Sequence, residues 1–273
     1  MPDDNNAIAS RLYIAELMRH IGLVGLAGAI SGAVVGGIGG RVAMRIAAVA
    51  AGDGVKGGIT ENGNRIGDIT FGGTLALVIF AGILFGGVGA IVYLISENWL
   101  RQAGRWRHLL CGLFLLMVGA PVALVPGNFD FSLVGNQALV VGMFLAMFLL
   151  YGILLVWLVE VFGERFPRVN PHRPEDSTVG YMIIVGAGVL FLPLFVLVLF
   201  VESNCGCEPN YVTGVFLLGL GITTVTLWTT HLITGAPPRL RSVAIGAGYL
   251  MLAGAASAGA VRSWSDVAAI LQG

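Results

Sequence analysis

Two arginines begin the most polar stretch of this sequence, and their side chains could bind an anion. Arg41 and Arg45 are four residues apart, which places them on one face of a helix. A guanidinium group binds carboxylate or phosphate through two parallel hydrogen bonds. The loop that follows carries further charged candidates for the same site: Glu61, Arg65 and Asp68. The pattern predicts either an anion or substrate site or a structural plug held by ion pairs.

The middle of this loop predicts a short hairpin. Asn62-Gly63 or Gly63-Asn64 is typical of a two-residue turn between antiparallel strands. The strands would be residues 58–61 and 65–70.

A second set of polar side chains lies inside an otherwise apolar stretch. Thr223, Thr226 and Thr230 share a helix face, and His231 follows at its end. One interpretation is a polar track for an ion or small solute, because polar and ionisable groups within membrane spans mark such pathways. The other is that each hydroxyl donates to a carbonyl oxygen one turn earlier in the same helix.

Histidines and paired carboxylates offer weaker candidates. His20, His108 and His231 are all expected near one membrane surface, where they either bind a metal or lie at unrelated places. Glu160 and Glu164 are four residues apart in an arginine-rich region. That setting favours ion pairs over acid–base chemistry.

No catalytic motif accompanies these residues. The sequence contains no GxSxG, HExxH or P-loop pattern. Cys205 and Cys207 form a CxC pair, which is not a zinc pattern and is as compatible with free or lipid-modified thiols as with a redox pair. We therefore predict that the protein is not an enzyme, and the sequence identifies no cofactor.

Composition places these residues on membrane helices. Hydrophobic residues make up 56% of the 273 residues and charged residues 11%, whereas a soluble domain carries about 25% charged residues. The formal net charge is zero, so nothing indicates nucleic acid as a partner. The sequence predicts an all-α bundle, a single membrane domain whose main partner is the lipid bilayer.

Seven apolar stretches approach or exceed the roughly 17 residues that cross a bilayer. They cover residues 21–40, 72–95, 109–126, 134–159, 179–201, 211–233 and 242–261. Residues 1–19 are predicted to form a mildly amphipathic segment, either interfacial or continuous with the first span. With the N-terminus in the cytoplasm, ten of the 15 Lys and Arg residues fall inside. This bias predicts a cytoplasmic N-terminus and an external C-terminus, in a bacterial inner membrane.

Small residues predict close helix packing. The first stretch repeats glycine at every fourth position, at Gly28, Gly32, Gly36 and Gly40. The second stretch carries a weaker repeat at Gly82 and Gly86. Such faces pack helices within one chain or between copies in an oligomer.

Two function classes follow from these features. The first is transport or permeation of a small solute or ion, supported by the polar loop, the threonines and the prolines within spans. The second is a non-catalytic membrane subunit or scaffold that joins a larger complex through its glycine-rich faces. An intramembrane enzyme ranks last, since no nucleophile–base or metal set is present.

We predict that replacing Arg41 and Arg45 together with glutamine separates these classes, because the change removes both guanidinium groups. A transport protein should keep its expression level and lose solute flux or ligand-induced thermal stabilisation. A scaffold should lose partner co-purification or become less stable. If the double variant behaves as the wild type does in solute flux, thermal stability and partner co-purification, the prediction of an outer site is wrong.

Overall fold

The computed structural model shows an all-helical chain, as predicted. It describes residues 2–52, 71–126, 136–170, 181–182, 185–186, 188, 191–200, 210–232 and 237–272. Of these residues 94% are helical and none lies in a strand. The hairpin predicted at 58–70 lies outside the described residues.

Nine α-helices account for most of the described residues. They are α1 (Pro2–Gly32), α2 (Gly40–Ala51), α3 (Phe71–Leu77), α4 (Phe85–Leu100), α5 (Arg107–Ala123), α6 (Gln137–Arg165), α7 (Phe191–Phe200), α8 (Tyr211–Leu232) and α9 (Pro238–Gln272). A π-helical turn at Ala33–Gly39 joins α1 to α2, and another at Val78–Leu84 joins α3 to α4.

Five helical stretches are long and apolar enough to cross a membrane. They are Ile8–Ala51, Phe71–Ala123, Gln137–Arg165, Tyr211–Leu232 and Pro238–Gln272. The helices run past the predicted spans. The segment before the first span is continuous with it, and the last helix includes the tail that follows residue 261.

The second of these stretches is not one straight helix. A tight turn at Arg101–Trp106 separates α4 from α5, and Gly104 within it has φ +55° and ψ −123°. Only glycine adopts this region of backbone conformation readily. The chain changes direction here, so that α4 and α5 are separate helices, which overlap the ranges of the predicted second and third spans.

Helix α4 lies at the centre of the bundle and accepts or donates three hydrogen bonds across helix interfaces. The Tyr151 hydroxyl of α6 donates to the carbonyl oxygen of Gly86 at 2.6 Å. The Thr224 hydroxyl of α8 donates to the carbonyl oxygen of Ile95 at 2.7 Å. Trp99 donates its indole N–H to a carbonyl oxygen of α9 at 2.9 Å. These bonds position α6, α8 and α9 around α4.

The glycines of α1 bring its backbone against the second helical stretch. A Cβ atom on Gly28 would lie 2.8 Å from the carbonyl oxygen of Gly86, and one on Gly32 would overlap the carbonyl oxygen of Gly82. Gly28 and Gly32 of the first predicted stripe therefore meet Gly82 and Gly86 of the second within one chain. Such close approach requires the absence of side chains.

The glycine spacing changes at the π-helical turn. Gly37 is buried, and a Cβ atom there would lie 2.9 Å from the Cα atom of Val78, whereas Gly36 is only half-buried. A π-helix bonds residues i and i+5, so the contacting position after Gly32 is five residues on rather than four. Gly40 is buried again, with Leu77 as its neighbour.

We predict that Gly32→Ala lowers the melting temperature in detergent. The added methyl group must push two backbones apart, at a cost of about 1–3 kcal/mol. Gly25→Ala is the matched control on the same helix, since a Cβ atom there meets no heavy atom within 4 Å. That change should be neutral or slightly stabilising. Equal melting of both variants would contradict the close contact.

Candidate functional site

One end of the bundle, which we call the arginine-rich end, collects most of the described arginines. Here α4, α6 and α8 end, and α5 and α9 begin. Helix α1 passes this level near residue 20, because its side chains contact α4 and the end of α6. Charged side chains from four helices interact at this end in what we call the polar layer: Glu16, Arg19, His20, Glu97, Arg101, Arg107, His108 and Glu160.

A buried carboxylate joins α1 to α4. Glu97 is only 4% exposed, and its Oε2 atom lies 2.6 Å from Nε2 of His20. Its Oε1 atom pairs with Arg101, one turn later on the same chain. Burial of a carboxylate costs free energy unless it is paired and hydrogen-bonded. His20 supplies the hydrogen bond at Oε2, and Arg101 supplies an opposite charge at Oε1, which makes no hydrogen bond with any described residue.

A second carboxylate joins α5 to α6. Glu160 pairs through Oε1 with Arg107, and its Oε2 atom lies 3.1 Å from Nε2 of His108. The sequence-based preference for ion pairs at this glutamate agrees with these contacts. Glu97 and Glu160 are thus each held between one arginine and one histidine.

Arg19 binds the C-terminal end of α6. Arg19 is 8% exposed. Its guanidinium group donates to the carbonyl oxygens of Gly163, Phe166 and Pro167, each at 2.9 Å. The last carbonyl groups of a helix lack partners within it and carry partial negative charge. A cationic donor is therefore well suited to this position.

Glu16 completes this contact. One of its oxygens lies 3.6 Å from the Arg19 guanidinium, and the other accepts a hydrogen bond from the backbone N–H of Val169 at 3.1 Å. The first half of α1 is in this way attached to the segment that follows α6.

The described carboxylates of the polar layer pair with basic side chains. Among the described residues, no three His, Cys, Asp or Glu side chains lie close enough together to hold a metal ion. The histidines predicted near one surface lie at separate places. His20 faces Glu97, His108 faces Glu160, and the ring of His231 lies 5.3 Å from that of Tyr13.

The threonines of α8 donate within their own helix. The hydroxyl groups of Thr223, Thr226 and Thr230 each bond to a carbonyl oxygen three or four residues earlier, at 2.7 to 2.8 Å. Thr224 is the fully buried member of the series and the one that reaches another helix. These bonds correspond to the simpler of the two sequence interpretations.

The arginines of the predicted outer site lie on α2, at the opposite end of the bundle. Arg45 is exposed, whereas the Nε atom of Arg41 is buried and makes no hydrogen bond with any described residue. The other predicted members of that site, and the CxC pair, fall outside the described part of the chain: Glu61, Arg65, Asp68, Cys205 and Cys207.

Sequence reasoning missed Glu97, although a signal was present. It is the only acidic residue between positions 71 and 100, within an otherwise apolar stretch. Its spacing of four residues from Arg101 is that of a helical ion pair. His20, which lies 77 residues earlier in the sequence, gives no local sign that it is the second partner.

The sequence matches no known protein family, and no characterised protein or solved structure resembles it. The class of protein must therefore be inferred from the helices themselves. Five apolar stretches of spanning length indicate an integral membrane protein made of α-helices.

We predict that Arg19→Gln destabilises the protein by about 2–4 kcal/mol, because three carbonyl oxygens lose a charged donor. The stability of Arg19→Lys should fall between those of the wild type and Arg19→Gln, since one ammonium group cannot reproduce the planar fork of a guanidinium. Arg168→Gln is the control, an exposed arginine in the segment after α6. Melting temperatures in detergent measure all three. A wild-type melting temperature for Arg19→Gln would show that the contact contributes nothing.

Proposed function

We propose that this protein transports or passes a small solute or ion across a membrane. The observation that carries the proposal is the pair formed by His20 and Glu97. An ionisable residue buried in a membrane helix is costly, and in membrane proteins such residues commonly serve ion pathways and proton relays. The pair places a buried carboxylate within the second apolar stretch.

In this proposal, Glu97 binds the proton or cation that moves. Binding neutralises the carboxylate and weakens its contacts with His20 on α1 and Arg101 on the turn after α4. The polar layer is then less tightly held. Glu160, with Arg107 and His108, offers a second carboxylate of the same construction on neighbouring helices.

The wider topology belongs to the same proposal. The seven apolar stretches form seven spans, the arginine-rich end faces the cytoplasm, and the membrane is a bacterial inner membrane. Arg41 and Arg45, with Glu61, Arg65 and Asp68, form the outer polar site. The distance along a helix from Arg19 to Arg41 is about 30 Å, which equals the thickness of the hydrocarbon core.

A non-catalytic membrane subunit is the second candidate. Its support is the broad apolar surface of α8 and α9, where Ile222, Leu250, Val261 and Trp264 are all strongly exposed. Part of such a surface could contact other polypeptides rather than lipid. The glycine face of α1 is occupied by α4 and its π-helical turn, so a partner would have to bind elsewhere.

We predict that Glu97→Gln abolishes most of the flux of protons or monovalent cations in reconstituted vesicles. Glutamine keeps the shape of the side chain but cannot carry its charge. Internal pH-sensitive and potential-sensitive dyes measure the flux, with empty vesicles as the baseline. Glu164→Gln is the matched control, because Glu164 is exposed at the same end and forms no ion pair with a described residue.

Loss of flux in Glu97→Gln with normal flux in Glu164→Gln supports transport. Equal flux in Glu97→Gln and the wild type, with both folded, contradicts the role of Glu97. Absence of flux in the wild type, together with a polypeptide that co-purifies from the native membrane, favours the subunit.

A further inference from the structure

A small cavity lies at the arginine-rich end, between the last turn of α8 and the first turn of α9. Its volume is about 240 Å³, and it is lined by Thr230, His231, Pro237, Pro238 and Arg241. Pockets for drug-sized ligands occupy about 300–1,000 Å³, so this cavity suits a smaller group. It is separate from the carboxylates of the polar layer.

Positive charge dominates this cavity. Arg241 and His231 are the two basic side chains in its wall, and the wall contains no acidic residue. The sequence has no Asp or Glu between Glu208 and Asp266, so α8 and most of α9 contribute none nearby. Any ligand that balances this charge must be an anion.

The start of α9 adds to the positive potential. Pro238 is the first residue of a 35-residue helix and lines the cavity. The first backbone N–H groups of a helix generally attract anions. In α9, however, Pro238 has no N–H, and the N–H of Leu240 donates to the carbonyl oxygen of Pro237 at 2.9 Å, so these two positions offer no free donor. What remains is the positive end of the helix dipole, which adds to the charge of Arg241.

Arg241 differs from the arginines of the polar layer. Arg19 binds carbonyl oxygens, and Arg101 and Arg107 pair with carboxylates. Arg241 is exposed and forms no ion pair with any described residue. Its planar fork of donors is therefore available, and this geometry matches two oxygens of a phosphate.

His231 is held in place by α1. Its ring lies 5.3 Å from that of Tyr13, inclined at 32°. Thr230 donates its hydroxyl hydrogen to the carbonyl oxygen of Leu227 at 2.7 Å, so it forms part of the wall and is not a free donor. Recognition in the cavity thus falls to the side chains of His231 and Arg241.

We propose that this cavity binds a phosphate group, either free phosphate or the headgroup of an anionic phospholipid. Both sources offer the same chemistry, a compact anion with oxygens that accept two hydrogen bonds from one guanidinium. Basic pockets between membrane helices bind phospholipid headgroups in this way.

The test uses the full-length protein and two probes. In a neutral detergent, inorganic phosphate is titrated at constant ionic strength, and the melting temperature gives an apparent Kd. In parallel, bilayer discs of phosphatidylcholine with or without phosphatidylglycerol are used, and native mass spectrometry counts the phosphatidylglycerol molecules retained. The variants are Arg241→Gln and His231→Gln, with Arg239→Gln as the control, an exposed arginine two residues away that does not line the cavity.

We expect Arg241→Gln to weaken binding about tenfold or more, as loss of a charge-assisted hydrogen bond does. His231→Gln should weaken it less, and Arg239→Gln should bind as the wild type does. A response to inorganic phosphate identifies free phosphate as a ligand, and selective retention of phosphatidylglycerol alone identifies the lipid headgroup. Equal losses in Arg239→Gln and Arg241→Gln would indicate diffuse surface charge and overturn the site. No binding of either probe by the wild type would also overturn it.

Discussion

Hydrocarbon offers no hydrogen bonds, and this constraint determines where the polar groups of the bundle lie. A donor or acceptor inside a membrane has to find its partner within the protein. Helix α4 meets much of this need, since Gly86 and Ile95 accept hydrogen bonds from α6 and α8, and Trp99 donates to α9. The threonines of α8 obey the same rule by bonding to their own helix.

Two different kinds of contact join α1 to its neighbour along the second stretch. In the middle, glycine surfaces allow the backbones to approach, and attraction comes from many short van der Waals contacts. Near the arginine-rich end, the pair of His20 and Glu97 adds a directional contact between charged or polar groups. The glycines set how close the helices lie, whereas the polar pair sets how far one is displaced along the other.

The sequence predicted the helical class, because apolar length is a local property, but several described helices extend well beyond the predicted spans. It also indicated that glycine surfaces would pack. It could not identify which helices are neighbours, and the missed role of Glu97 follows from that. Its partner Arg101 is visible at helical spacing, but His20 comes from a helix 77 residues away. Gly37 was missed for another reason, since a four-residue repeat assumes an unbroken α-helix.

The two π-helical turns determine the direction in which the side chains after them project from the helix. Ala33–Gly39 and Val78–Leu84 face one another, and each changes the direction in which all later side chains of its stretch project. An α-helix advances about 100° per residue, so gain or loss of one residue in either turn would rotate the distal half by that amount. If the change fell in Ala33–Gly39, Arg41 and Arg45 would project to a different side of the bundle, with no change in their own sequence.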